Sequence, residues 1–477
     1  MRSVRGTHFI QEEYPGLLKD ESSLSGGNCQ TAAWPENAME AAEYLKECFA
    51  NGVPVTISGA RTGIAGGAVP MGGAVLSTDL LKGIQPTSDI HTIRVGAGET
   101  LDSVYDYCTR EKSGMFYPPD STETTASVGG TVATDASGAG SYRYGSTRKW
   151  INRLQIILPS GTLLTVKRGD FNFHRGKFRH PLLGLITLPE LKTPQPVKNA
   201  AGLHISPEMD LIDLFIGSEG KLGLIVEADL ILSRKPHTVA CFAVFCNEKQ
   251  FWELRSDLMN ANLPLRELEA MIPPSLSFLS ENTGRPFPEY EDWVLFTSID
   301  VASEEDIDIV LETLEMILEE KGISIDNTWG GFDEASIKRL KELRHLLPET
   351  VNRIISGLSS RNRRIHKVST DTAVPPEQLE EYYRTMKNIL RSSGVEHVVF
   401  GHSGQGHLHA NLIPSDNDQM EKAEFAVERI AEEAVKLGGT VSAEHGTGKL
   451  KASLLRFMYS QKELDGMNLL TESITSC

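Results

Sequence analysis

Tyr117–Trp150 reads YPPDSTETTASVGGTVATDASGAGSYRYGSTRKW. Twenty of its 34 residues are Gly, Ala, Ser or Thr. Side chains this small fill a core poorly, but they let backbone approach another group closely. Upstream, SGARTGIAGG (Ser58–Gly67) follows the β-branched run Val53–Ile57. Downstream, GSEGKLG (Gly217–Gly223) leads into the strand-like LGLIVEADLIL of Leu222–Leu232. One glycine-rich turn is more often structural than functional. Three beside three strands suit an extended, anionic, partly planar ligand, because amides on either side of a positive-φ glycine point into one concavity.

The usual nucleotide loops do not fit. No glycine triplet of the G-x-G-x-x-G kind opens a helix here. GTGKL (Gly446–Leu450) is not a P-loop, since Ala443 holds the place of the first glycine and Leu450 that of Ser/Thr. A flavin dinucleotide fits the three loops.

Around them the chain alternates strand and helix. Residues 35–49 place Ala38, Ala41, Leu45 and Cys48 on one helical stripe, and HTIRVGAGETLDSVYDYC repeats a strand-then-helix order. After Pro236 the composition shifts to long strand-like runs (VACFAVFC, DWVLFTSIDV) and an amphipathic helix. That helix opens with Ser303 and Asp306 at capping-box spacing, buries Ile307, Val310, Leu311, Leu314 and Leu318, and stops at Gly322. A mostly antiparallel sheet with helices is expected there. At 477 residues the chain exceeds one core. The organisation expected is α+β: residues 1–235, a middle domain 236–395, and a C-terminal helical segment 396–477 returning to the first.

The last eighty residues carry a second signal. FGHSGQGHLHANLIP (Phe400–Pro414) packs His402, His407 and His409 into eight residues, and VSAEHGTGK (Val441–Lys449) sets Glu444 beside His445. In a strand over His407–Ile413, His407, His409 and Asn411 share the face opposite Leu408, Ala410 and Leu412, so the imidazoles point out of the core. Metal binding, metal-free substrate contact and hydrogen-bonded structural histidines are the alternatives. A turn and an alternating strand can deliver His402 and His409 together, with Glu444 arriving from the later loop. Two nitrogens and a carboxylate suit Zn²⁺, and also Mn²⁺ or Fe²⁺.

The ordered set GARTGIAGGAVP, then YPPDSTETTASVGG…RYGSTRKWI, then GSEGKLGLIVEA resembles the FAD-linked oxidase family with a vanillyl-alcohol-oxidase (PCMH) type FAD domain. Within it, the branch of D-lactate dehydrogenase, D-2-hydroxyglutarate dehydrogenase and the glycolate oxidase flavin subunit is the most similar. The C-terminal stretches are similar to that branch's GHxGDGNLHxN and GEHGxG signatures, except that Gln405 replaces Asp and His407 replaces Asn. The resemblance implies a PCMH-type FAD-binding domain with a ferredoxin-like cap over the middle segment. It implies that Gly59, Ala60, Arg61, Thr62, Gly63, Gly66 and Gly67 wrap the pyrophosphate. Pro119, Asp120, Thr125, Gly129, Gly130, Thr131, Thr134, Gly138, Arg143 and Tyr144 would line flavin and ribityl, and Glu219, Gly223 and Ile225 would border the ring or adenine end. No His or Cys lies in the first loop, so the FAD is expected to be non-covalent. The resemblance further implies that His402, His409 and Glu444 hold the metal and that His445 is the catalytic base. It places Arg344 as the substrate arginine, with Lys367 as a second cation, although helical Arg and Lys are commonly just solvated.

The activity implied is FAD-dependent dehydrogenation of a small 2-hydroxy acid, with a quinone, an electron-transfer flavoprotein or a cytochrome as acceptor. A homodimer is left open. One alternative is a transferase of the alkyl-dihydroxyacetonephosphate synthase type, which carries a histidine triplet where this chain has only His445. Another is a non-catalytic flavin electron-transfer subunit, which has no use for this cluster. The net charge of −17 opposes nucleic-acid binding. The basic, aromatic VKRGDFNFHRGKFRH (Val166–His180) is expected to be an exposed hairpin, or else a dock for an acidic electron carrier. With no signal-peptide or membrane-spanning run, a cytoplasmic protein is expected, with at most peripheral membrane association through its acceptor. The six cysteines lack C-x-x-C spacing and are expected to be thiols.

Overall fold

The computed structural model describes residues 1–22, 24–192, 197–284, 287 and 293–477. Its N-terminal part holds two larger sheets and two two-stranded ones. In the first, Arg2–Arg5, Thr31–Trp34, Ala74–Ser77 and Val55–Ser58 lie in that order, the last three mutually parallel. Helix Ala38–Ala50, capped by the Asn37 side chain on the Glu40 N–H, buries Ala41, Leu45 and Cys48 as its periodicity requires. The second sheet is antiparallel, in the order Ile84–Pro86, Thr92–Gly96, Leu224–Ile231, Ile151–Ile157, Leu163–Lys167. The small-residue loops connect these strands.

A seven-stranded, wholly antiparallel sheet forms the cap. Its order is Thr328–Gly331, Thr238–Cys246, Trp293–Val301, Leu265–Ile272, Glu396–Gly401, His409–Ile413, Val368–Ser369. Both faces are covered, so the strands read as continuous apolar runs. Ala240, Phe242, Val244 and Cys246 enter one core while Cys241, Ala243 and Phe245 enter the other. Helix Glu305–Glu320 packs on the first face through Val310, Leu314, Ile317 and Leu318, with Ile307 and Leu311 at its margin. Helix Glu334–Arg361 packs on the second. The sheet runs past residue 395: strands Glu396–Gly401 and His409–Ile413 are built into it, which brings the histidines to the cap's inner strands.

After helix Asn417–Lys436 the chain crosses back. Helix Gln461–Thr475, opened by a Ser460/Glu463 capping box, puts Met467, Leu470 and Ile474 into the core of the second N-terminal sheet. In the insertion Val166–His180 the strand Lys177–His180 pairs antiparallel with Gly184–Thr187 and Lys167, Arg175, Lys177 and Arg179 are exposed, while the aromatics are withdrawn. Phe173 and His180 are buried, and Phe171 lies 5.4 Å from Phe178 and 4.9 Å from His180 between ring centroids. Its aromatics therefore satisfy one another rather than facing solvent. Cys29, Cys48 and Cys108 are buried thiols. Among the described residues no helix is long and apolar enough to cross a membrane.

Candidate functional site

The small-residue loops meet edge to edge. Ser127 caps helix Val128–Thr134, and its hydroxyl accepts both from Gly130 N–H (3.3 Å) and from Ala60 N–H (3.2 Å), joining the first loop to the second. Arg61 folds back onto Asp79 at 3.3 Å and the Gly59 carbonyl at 2.9 Å. A Cβ built on Gly63 or Gly67 would meet nothing within 4 Å, so these glycines border open space. Others are glycine because backbone crowds them. A Cβ on Gly129 would lie 2.7 Å from Ala97 Cβ, one on Gly138 only 1.7 Å from the Asp120 carbonyl, and one on Gly223 2.7 Å from that of Ile157. Gly59 and Gly66 are crowded by Ser127 and Leu24.

The polar residues expected to line a flavin have partners in the chain. The hydroxyls of Thr131 and Thr134 return to their own helix at Val128 and Gly130, and Thr125 bonds Glu123. Pro119 offers its carbonyl to Tyr105 (2.6 Å), and Ile225 is a core residue. Arg143 pairs with Asp300 of the cap at 2.9 Å, and the Tyr144 hydroxyl donates to the same carboxylate. Arg266 reaches Asp300 and Asp120 at 3.5 and 3.4 Å. Arg143, Tyr144 and Asp120 thus stitch cap to cradle.

The third loop meets the C-terminal one. Glu219 accepts from Gly448 N–H (2.6 Å) and Thr447 Oγ1 (2.8 Å). Lys449 Nζ donates to the carbonyls of Gly66 and Gly67 at 3.2 and 3.1 Å. The segment bearing Glu444 and His445 is therefore fastened directly to the cradle.

The cap closes the site from the other side. Ligand atoms of His402, His407, His409 and Glu444 lie within 4.8 Å of one another, and so do those of Asp371, Glu444 and His445. Glu444 is central: Oε2 is 3.3 Å from His402 Nε2 and pairs with Lys198, while Oε1 is 3.3 Å from His409 Nε2 and 3.6 Å from His445 Nε2. His402 Nδ1 bonds Glu269 Oε1 at 2.6 Å, and Glu269 in turn faces Arg344 Nε at 3.4 Å. Arg344 also contacts Glu267 at 3.2 Å. It is thus a brace for the cluster as well as a cation beside it. Lys367 bonds Asn352 (3.3 Å) and forms no ion pair with the cluster among the described residues.

The charges follow from these partners. Burial opposes ionisation of Glu444, but Lys198 and His402 hold its carboxyl well below the usual range. For Asp371, burial is likewise outweighed by Lys451 and His445. Burial holds Glu269 back too, yet Arg344 and His402 bring it down to about 2. Burial lowers His407 strongly and His409 less, so both rings are neutral, as a metal ligand must be. Asp371 Oδ1, both nitrogens of His407 and Nδ1 of His445 are buried without a hydrogen bond. Such orphans cost about 1–3 kcal/mol each. A divalent cation amid the two carboxylates and four imidazoles would answer this donor set, and His402, His409 and Glu444 fit it. His445 stands at the open edge, its side chain 31% exposed against 8% for Glu444.

Lys198, Glu269 and Asp371 carry no motif of their own. Asp371 lies in HKVSTDTAVP. Glu267 and Glu269 are marked in the sequence only as two carboxylates at alternate positions of strand Leu265–Ile272, which also carries Arg266.

Residues 30–167 match a family described as an FAD binding domain, and residues 234–471 match FAD linked oxidases, C-terminal domain. D-lactate dehydrogenase of Archaeoglobus fulgidus is 27% identical over 431 residues, covering 90% of this chain and 85% of that protein. Glycolate oxidase subunit GlcD of Bacillus subtilis is 28% identical, covering 91% and 84%. D-2-hydroxyglutarate dehydrogenase of Xanthomonas citri is 28% identical, covering 91% and 84%. Among solved structures, an alkyldihydroxyacetonephosphate synthase superposes with a TM-score of 0.62 at 14% identity, covering 94% of this chain and 75% of that one, a likeness of fold.

Proposed function

The chain belongs to the FAD-linked oxidases, and on that premise we propose that it is a dehydrogenase of small 2-hydroxy acids of D configuration. The observation that carries the reading is the fastening of one loop, residues 444–449, to both halves of the site. Glu444 and His445 join the imidazole cluster, while Gly448 and Lys449 bond the third and first small-residue loops. A cluster suited to a hydroxyl and a carboxylate is thereby fixed beside a cradle suited to FAD.

Bound FAD supplies the acceptor for the hydride equivalent leaving Cα. A divalent cation held by His402, His409 and Glu444 supplies Lewis acidity, lowering the pKa of a substrate hydroxyl. His445 accepts the hydroxyl proton at Nε2, its Nδ1 facing Asp371 Oδ1 at 3.2 Å, an arrangement that holds the ring's orientation. Arg344 and Lys198 offset part of the negative charge of Glu267, Glu269 and Glu444, which favours admission of the substrate's carboxylate. The walls at Arg143, Tyr144 and Arg266 close cap onto cradle and keep water from the reacting atoms. The expected external acceptor would be a quinone, an electron-transfer flavoprotein or a cytochrome. Anaerobic mixing with D- and L-2-hydroxy acids tests the reading, the D forms being expected to bleach the flavin. Failure of every 2-hydroxy acid to do so would refute it.

A further inference from the structure

We propose that His407 is a fourth protein ligand, so that this chain holds its divalent metal through three imidazoles and the Glu444 carboxylate. The inference rests on the metal site proposed above and concerns a position where the family signature has asparagine. Each of the three rings turns one nitrogen towards Glu444, and two of them hold the other by a hydrogen bond. His402 gives Nδ1 to Glu269 (2.6 Å) and turns Nε2 to Glu444 at 3.3 Å. His409 sets Nδ1 against the Thr370 carbonyl (3.2 Å) and turns Nε2 to Glu444 at 3.3 Å. His407 sets Nε2 3.4 Å from Asp371 Oδ1 and turns Nδ1 to Glu444 at 3.9 Å. One nitrogen facing a fixed acceptor and the other facing a common point is how metal-bound histidines are oriented.

The chain path explains the convergence. The His407 N–H donates to the His402 carbonyl at 3.2 Å, folding the turn so that two residues five apart present their rings on one side. Ring centroids of His407 lie 4.2 Å from those of His409 and 5.3 Å from those of His402. His407 is 0% exposed, and neither of its nitrogens has a hydrogen bond. A histidine retained for packing alone would carry that penalty without recompense. The separations, at most 4.8 Å, compare with roughly 3.3 Å between tetrahedral ligands about 2.0 Å from zinc. Three nitrogens and one oxygen favour Zn²⁺ over Mn²⁺, and a substrate hydroxyl would join them by expansion to five-coordinate.

The test is Zn²⁺ binding by the FAD-loaded, metal-stripped protein, measured by competition with a chromophoric chelator. Wild type should take up one Zn²⁺ per chain. His407→Asn, which restores the family's residue, should keep its FAD and bind at least about tenfold more weakly, the scale of losing even an outer-shell partner. X-ray absorption of the Zn²⁺-loaded wild type needs no variant and should count three imidazoles. Equal affinity in His407→Asn, or two imidazoles, overturns the inference while leaving the metal site standing. A wild type that binds no metal at all overturns both.

Discussion

Glu444 and His445 are neighbours in sequence with separate expected losses. Glu444→Ala should remove bound metal, because both its oxygens face imidazoles. His445→Ala should keep metal and FAD yet slow flavin reduction by about 10²–10⁴-fold, roughly 3–5 kcal/mol of barrier. Elemental analysis beside anaerobic stopped-flow separates the two, and loss of metal in His445→Ala with retention in Glu444→Ala would reverse the roles. Arg344→Lys keeps the charge and loses the fork that spans Glu267 and Glu269. Its kcat/KM should fall with FAD content unchanged, and metal affinity should fall too, since Glu269 holds His402. At this scale the alternation of strand residues made the histidines legible. Lys198 was not legible, because nothing local marks a lysine that meets a carboxylate 246 residues away.

Among the loops, glycines of two kinds should behave differently. A Cβ on Gly63 meets no chain atom within 4 Å, so the Gly63→Leu apoprotein should fold with near-normal thermal stability and fail to retain FAD. Gly138→Ala would drive a Cβ into the Asp120 carbonyl and should lower the apoprotein's melting temperature itself. Thermal scans of both apoproteins, followed by FAD titration, read the difference. Normal FAD affinity in Gly63→Leu would move the cradle elsewhere. The Glu219 tether sets a pH dependence. Burial alone would raise this carboxyl, but Lys221, Gly448 N–H and Thr447 lower it. With the folded pKa depressed, the unfolded chain takes up the proton first. The tether's stabilisation is therefore complete above the unfolded value of about 4.3 and is lost as pH falls through the folded one. FAD release should rise in that acid window, and Glu219→Gln should bind FAD more weakly at neutral pH with a shallower acid dependence. Composition revealed the loops as cradle material. It did not reveal which glycines face ligand and which face backbone, because that depends on strands packed from elsewhere in the chain.

For the molecule as a whole, strand and helix periodicity was enough to separate an N-terminal α/β half from an antiparallel cap, as the two-sided apolar run Thr238–Cys246 illustrates. The site itself is a product of long-range closure. Glu269 meets His402 across 133 residues and Glu219 meets Gly448 across 229, and no periodicity records such pairings. Only the small-residue loops and the two C-terminal motifs announced them. The central claim is that closure places a 2-hydroxy acid between the imidazole cluster and FAD. Its most direct test is anaerobic addition of D-2-hydroxy acids to the holoprotein while the flavin's visible absorbance is followed, before and after chelation. Bleaching by a D acid is expected, with suppression on metal removal and recovery when the divalent ion is restored. A flavin that no 2-hydroxy acid reduces, or one reduced equally well without metal, would contradict it.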